Sequence, residues 1–424
     1  MRLLYNLAVY LYTLSIRFSA LLGNKKANYW VKGRIHWEAE LKRKLQGAPT
    51  KRVWFHCASL GEFEQGRPIL EKLKHKDPSV FIILTFFSPS GYEIRKNYST
   101  ADIVCYLPID KKKNAKYFLD IVSPAYAVFI KYEFWFHFVN EAHKRKIPLY
   151  IASAIFRPSQ IFFKWYGGFF KSILKKVDFF FLQDENSGKL LAQNKITNFI
   201  ITGDTRFDRV FEIMNEGKKI EILNTYFGDK MVLLGGSTWP DDENILIKSL
   251  VEFGKNKINL IIAPHEVNER RVQGLLSLLS TYYSPVEITK FSEAGKNPQA
   301  KVIVIDNIGL LSAAYRYATI AWIGGGFGKG IHNILEAAAF GKPTIFGPHY
   351  QKFKEAVELV QLGGSFSVKD AEEAKNIIST LITNKKHLEA SSETCSEYVK
   401  THIGATDKIF SHIEKIKLEK IFLQ

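Results

Sequence analysis

Four stretches of this chain place chemistry-bearing residues where a strand gives way to a helix. In Ala58-Ser59-Leu60-Gly61-Glu62 a small-residue turn leaves an apolar run and delivers Glu62 into the first turn of a helix. The helix dipole favours a carboxylate there, and such a carboxylate could act as general base toward a sugar hydroxyl. The same residues equally suit a plain cap, with Ser59 or Gly61 at the helix start and Glu62 complementing the dipole.

The second stretch is Gly324-Gly325-Gly326-Phe327-Gly328-Lys329-Gly330, ahead of a helix that opens with His332-Asn333. Glycines let a backbone approach a phosphate, and a helix start supplies N–H donors to an anion. No Walker Lys-Ser/Thr ending follows, which argues against an ATPase. Glu336, one turn on, is placed to accept hydrogen bonds from ribose hydroxyls. The competing reading is a tight turn and a helix buried through Ile334, Leu335 and Ala337–Ala339.

Third is Gly235-Gly236-Ser237-Thr238, where small residues and hydroxyls suit a phosphate or a sugar-acid carboxylate, or else an N-cap turn. Fourth are cations and their neighbours at strand ends: Lys131-Tyr132-Glu133-Phe134-Trp135, Arg206 in Gly203–Asp208, and His265-Glu266. A cation so placed could pair with a phosphate or carboxylate, although charges at strand ends are commonly solvated. No cluster has metal-ligand spacing and no two histidines stand at i and i+4, so no bound metal is expected.

These residues need a scaffold, and the chain's patterning supplies one. Apolar runs alternate with helical stretches from residue 50 onward, the pattern of βα units on a parallel sheet. One series runs from Arg52–Cys57 through 199–202, and a second from 231–234 through 343–346. Between them, residues 211–230 lose periodicity and gain charge, which reads as a linker. At 424 residues two domains are expected: residues 25–212 and 213–424, with the last helix able to pack back on the first domain. The fold class is α/β, two doubly wound Rossmann-like domains facing a cleft, with ligands at the carboxyl ends of strands.

Residues 1–24 form the exception. Leu3–Leu22 is rich in Leu, Tyr, Val, Ile and Phe and is followed by Lys25, Lys26, Lys32 and Arg34. This predicts a membrane-attachment helix that either spans a bilayer or lies in its surface; the basic residues would keep the body cytoplasmic. The formal net charge of +17 biases partners toward polyanions. Three widely spaced cysteines, Cys57, Cys105 and Cys395, speak against a disulfide framework.

Taken in order, Ser59-Leu60-Gly61-Glu62, Lys131–Trp135, Gly203–Asp208, Gly236-Ser237-Thr238, His332–Glu336, Gly341-Lys342-Pro343 and Gly347-Pro348-His349 resemble the Kdo (3-deoxy-D-manno-octulosonic acid) transferase family, glycosyltransferases of GT-B architecture. The resemblance implies an inverting enzyme at the inner membrane, its catalytic domains on the cytoplasmic side, moving Kdo from CMP-Kdo to the lipid A precursor without a cofactor. It implies Glu62 as catalytic base. Ser237, Thr238, His265, Gly325, Gly326, Asn333 and Glu336 would serve the donor, while Ser59, Gly61, Lys131, Glu133 and Arg206 would face the acceptor or a phosphate or carboxylate. Three positions depart from the family pattern: Ile334 replaces the usual Pro, His265-Glu266 an Arg-His pair, and Leu310-Leu311 an acidic residue.

Two other readings compete. Another transferase or an epimerase using a UDP-sugar would share the architecture. A non-catalytic basic protein binding polyanions or membrane would explain the charge alone; no nucleic-acid module is present.

Overall fold

In the computed structural model, which describes residues 1–228 and 230–422, the chain divides into two compact units. The first comprises residues 1–209 and 403–424, and the second residues 210–402. Each is built on a seven-stranded sheet in which every observed pairing is parallel.

The first sheet uses β1 (Arg52–Cys57), β2 (Phe81–Phe86), β3 (Ile103–Tyr106), β4 (Tyr126–Ile130), β5 (Leu149–Ala154), β6 (Phe179–Leu182) and β7 (Phe199–Ile201). Their order is β3-β2-β1-β4-β5-β6-β7. Runs such as Phe81-Ile82-Ile83-Leu84 are buried on both faces, as helix-covered parallel strands must be. One face packs Trp54, Phe118, Phe129 and Phe138. The other packs Phe55, Phe63 and Ile130 with Ile409, Phe410 and Ile413 from the last helix, Ala405–Phe422. The strand order reverses between β1 and β4. Ligands of such sheets bind beyond the carboxyl ends at that point, where the Ser59 and Lys131 turns lie.

The second sheet contains β8 (Val232–Thr238), β9 (Asn259–Pro264), β10 (Ile288–Lys290), β11 (Val302–Val304), β12 (Ile320–Ile323), β13 (Thr344–Phe346) and β14 (Ser365–Ser367). Its order is β10-β11-β9-β8-β12-β13-β14, with the reversal between β8 and β12. The edge strands β10 and β14 were not foreseen: Ile288-Thr289-Lys290 and Ser365-Phe366-Ser367 are short and carry only one apolar residue each, so they form no apolar run. Residues 211–230 are not a bare linker either. The helices Thr205–Asn215 and Glu221–Phe227 occupy most of that span.

The N-terminal helix, Arg2–Leu21, is tied down on its inner side: the Tyr5 hydroxyl donates to Asp110 at 2.5 Å, Asn6 Oδ1 lies 2.7 Å from His137 Nε2, and Thr13 is buried. Leu3, Leu7, Leu11, Leu14, Phe18 and Leu21 are exposed, an apolar stripe at helical spacing that faces outward. Among the described residues no helix is long and apolar enough to cross a membrane. The expectation of a span is thus corrected, because Tyr5, Asn6, Thr13, Ser15, Arg17 and Ser19 dilute the segment.

Candidate active site

In the first unit the turn after β1 forms a complete capping box. Ser59 is the N-cap of the helix Leu60–Lys76, and Glu62 Oε2 accepts the Ala58 N–H at 2.5 Å and the Ser59 N–H at 3.2 Å. The cap reading is therefore correct, and it does not displace the catalytic one. Burial, then the charge of Glu133, push the Glu62 carboxyl up to about 7, against the two backbone bonds and Lys131, which pull it down. A carboxyl poised there can exchange protons at neutral pH. Gly61, next to it, is exposed.

Lys131 ends β4 with φ 66°, left-handed backbone that a residue with a Cβ seldom adopts. Such strain is retained where geometry matters. Glu133 is buried: its Oε2 accepts from Trp135 Nε1 at 2.6 Å and lies 3.2 Å from His56 Nε2. On its other side His56 Nδ1 sits 2.9 Å from Thr85 Oγ1. Glu133 is thus held in a fixed position, from which its charge acts on Glu62. His56 was missed by the sequence reading, which had no pattern to mark a histidine inside a strand. Arg206 lies with Nε and Nη2 both 2.8 Å from Asp204 Oδ2, so its cation is already matched by a carboxylate.

In the second unit several residues assigned to the donor have partners inside the fold. Thr238 is fully buried and its hydroxyl donates to Glu243 at 2.6 Å, with Arg271 Nη2 on the same oxygen at 2.5 Å. Its hydroxyl braces the turn. The Gly325 N–H, expected to meet a phosphate, donates to Asp242 Oδ2 at 2.8 Å. Gly326 is buried, and a Cβ there would collide with the Gly347 backbone. These glycines allow backbones to pack closely inside the fold. The expected helix starts later too, at Leu335 rather than His332.

Other assignments gain geometry. Ser237, half-buried at the end of β8, adopts φ 53°. Asn333 Nδ2 donates to Glu336 Oε1 at 3.0 Å, and Ser312 donates to Glu336 Oε2 at 2.7 Å, so Glu336 is held on both oxygens. His265 is exposed and stacks on His332 with centroids 4.3 Å apart; Trp239 packs against His265 at 4.8 Å and donates through Nε1 to His332 Nε2 at 3.0 Å. Trp239 and His332 had drawn no role from the sequence. Their ring column appears only when the turns after β8, β9 and β12 meet.

Residues 32–209 match the family described as 3-deoxy-D-manno-octulosonic-acid transferase (kdotransferase). The chain is kin to the Kdo transferases. Relatives described as 3-deoxy-D-manno-octulosonic acid transferase include proteins from Rickettsia typhi, 25% identical over 404 residues (90% of this chain, 83% of that protein), and Haemophilus influenzae, 26% identical over 381 residues (85% and 86%). A third, from Aquifex aeolicus, is 26% identical over 347 residues (81% and 89%). Among solved structures, the UDP-GlcNAc 2-epimerase from Neisseria meningitidis superposes with a TM-score of 0.63 at 17% identity, covering 86% of this chain and all of that one. At that identity the likeness speaks for the GT-B-like fold alone. Kinship to the Kdo transferases makes the chain a glycosyltransferase. Its family match ends at Arg209, the last residue of the first unit's N-terminal stretch.

Proposed function

We propose that this chain transfers Kdo from CMP-Kdo to the lipid A precursor with inversion, as an early step of lipopolysaccharide assembly. The observation that carries the reading is Glu62: a carboxyl at the switch point of the first sheet, fixed by two backbone N–H groups and titrating near 7. In the proposed reaction Glu62 takes the proton from an acceptor sugar hydroxyl. That oxygen bonds to the anomeric carbon of Kdo as the bond from that carbon to the CMP phosphate breaks, and CMP leaves with the electron pair. Lys131, cationic and beside Glu62, suits a phosphate of the acceptor or the Kdo carboxylate.

Asn333 and Glu336 are the residues for the donor ribose, because the Ser312 and Asn333 bonds fix the Glu336 carboxylate as an acceptor for hydroxyls. Ser237 is the donor-side hydroxyl left once Thr238 is spent on Glu243. Charge developing on the departing phosphate can be met by such preorganised dipoles, so neither cofactor nor metal enters the scheme.

The outward stripe of Leu3, Leu7, Leu11, Leu14 and Phe18, with the basic residues that follow, supports attachment to the surface of an anionic membrane. We place the protein at the cytoplasmic face of the inner membrane on that ground. The test is incorporation of Kdo into tetraacylated lipid A precursor by purified protein in detergent, with EDTA present. Transfer is expected. Folded protein that binds CMP yet makes no product would remove the acceptor assignment, and folded protein that binds no CMP would remove the donor.

A further inference from the structure

The second unit holds a cavity of ≈ 320 Å³ at the other end of its sheet from Ser237 and the glycine turn, at the lower end of the range that accommodates small molecules. Lys230 precedes β8, Thr319 precedes β12 and Lys342 precedes β13, so the cavity lies at the amino ends of these strands. Ser237 and the glycine turn lie at the carboxyl ends. The length of β8 alone separates the two by about 20 Å.

Four cations, Lys219, Lys230, Arg316 and Lys342, line this cavity, and no carboxylate does among the described residues. Lys219 and Lys230 are exposed, and Lys230 Nζ donates to the Tyr226 carbonyl at 3.0 Å; Arg316 and Lys342 are half-buried, where two like charges repel unless an anion joins them. At Lys342, burial together with the Arg316 charge pulls the ammonium down to about 8. Arg316 is anchored by one bond, Nη2 to the Met214 carbonyl at 2.8 Å, while its buried Nε has no hydrogen-bond partner.

Two hydroxyls point the same way. Tyr317 Oη accepts the Ile220 N–H at 2.7 Å, and Thr319 Oγ1 accepts the Val232 N–H at 3.1 Å. Each hydroxyl oxygen is thereby an acceptor, which directs its own proton elsewhere. The cavity thus presents donors and positive charge, the complement of an oxyanion with several acceptor oxygens.

We propose that Lys219, Lys230, Arg316 and Lys342 form a second anion site, distinct from the donor site, that binds a phosphoryl group. The residue that anchors it, Lys342, belongs to Gly341-Lys342-Pro343, a motif to which the transfer reaction gives no role. The inference stands whether or not the donor is CMP-Kdo.

The test is calorimetric titration of the full chain with inorganic phosphate in phosphate-free buffer, alone and saturated with CMP. One phosphate site is expected, retained under CMP and weakened roughly tenfold by Lys342→Met, as for loss of a charge-assisted bond. Because Lys342→Met alters a half-buried position, the exposed pair Lys219→Ser and Lys230→Ser serves as the second variant, with the same weakening and unchanged CMP affinity. No phosphate heat in the wild type, equal binding in both variants, or displacement of phosphate by CMP would each overturn the proposal. Vesicles of phosphatidylcholine with and without phosphatidic acid separate the sources. Retention on the acidic vesicles alone, lost in the double variant, assigns a lipid headgroup; phosphate binding without retention assigns a soluble phosphate ester.

Discussion

Glu133 and His56 meet at 3.2 Å inside the first unit, and Trp135 donates to the same carboxylate oxygen. This fixes a negative charge close enough to Glu62 to raise its affinity for a proton. Removing that charge should lower the Glu62 pKa. Glu133→Gln is therefore expected to move the acid limb of kcat/KM for Kdo transfer to lower pH. The base form of Glu62 dominates above about 7 in the wild type, so the variant should gain relative activity below that pH. A profile that stays in place would show that the coupling does not operate in the reaction.

Glu62→Gln separates the two tasks of one side chain. Gln serves in a capping box as well as Glu does, so the bonds from Ala58 and Ser59 can persist and the melting temperature should change little. Loss of the base should cost roughly 10²–10⁴ in kcat, with CMP affinity kept. If kcat survives while stability falls, Glu62 is a cap and nothing more.

Gly326→Ala probes the glycine turn. A Cβ there meets the Gly347 backbone, which cannot swing aside as a side-chain tip could. Overpacking of this kind costs about 1–3 kcal/mol, so urea unfolding should shift clearly, with or without nucleotide. A variant of wild-type stability that has lost only donor affinity would restore the phosphate-cradle reading.

Asp208 caps the last helix, its carboxylate accepting from Gly404 N at 2.6 Å, Thr406 N at 2.7 Å and Thr406 Oγ1 at 2.7 Å. Asp208→Ala should cost about 1–2 kcal/mol and open the chain near residue 403 to protease. Unchanged cleavage there would mean the helix is held by Ile409, Phe410 and Ile413 alone.

Leu7→Gln, Leu11→Gln and Phe18→Gln together test membrane attachment. These side chains are 52%, 55% and 63% exposed, so the fold should tolerate polar replacements while sedimentation with anionic vesicles is lost. Equal sedimentation would move the attachment elsewhere on the basic surface.

The sequence was most legible where a physical requirement repeats. Buried parallel strands need apolar runs, and β1 appears with the limits read for it, Arg52–Cys57. The Ser59–Glu62 turn was legible because a cap has a local signature. Long-range polar partners were not. Nothing near Gly325 announces that Asp242 will consume its N–H, and nothing near Thr238 announces a buried bond whose ion-pair partner, Arg271, lies a strand and a turn away. The same reason hid His56 and the Trp239–His332 contact: each depends on turns that only the sheet order brings together. The N-terminal segment misled differently, since its hydropathy was real but arranged as a stripe.

The first unit is discontinuous in the chain, and this has a consequence for synthesis. Ile409, Phe410 and Ile413 belong to the same core face as Phe55 and Ile130, yet about 190 residues of the second unit are translated between them. At 5–20 residues per second that is a delay of roughly 10–40 s. Throughout it, the nascent first unit carries an uncovered apolar face on the ribosome, in addition to the outward leucines of its N-terminal helix. The second unit has all its strands before its first partner is finished, so the usual vectorial order of folding is reversed at the last step. The final helix acts as a clasp that closes only after the whole second unit has been translated, and chaperone occupancy on the first unit should end when it docks.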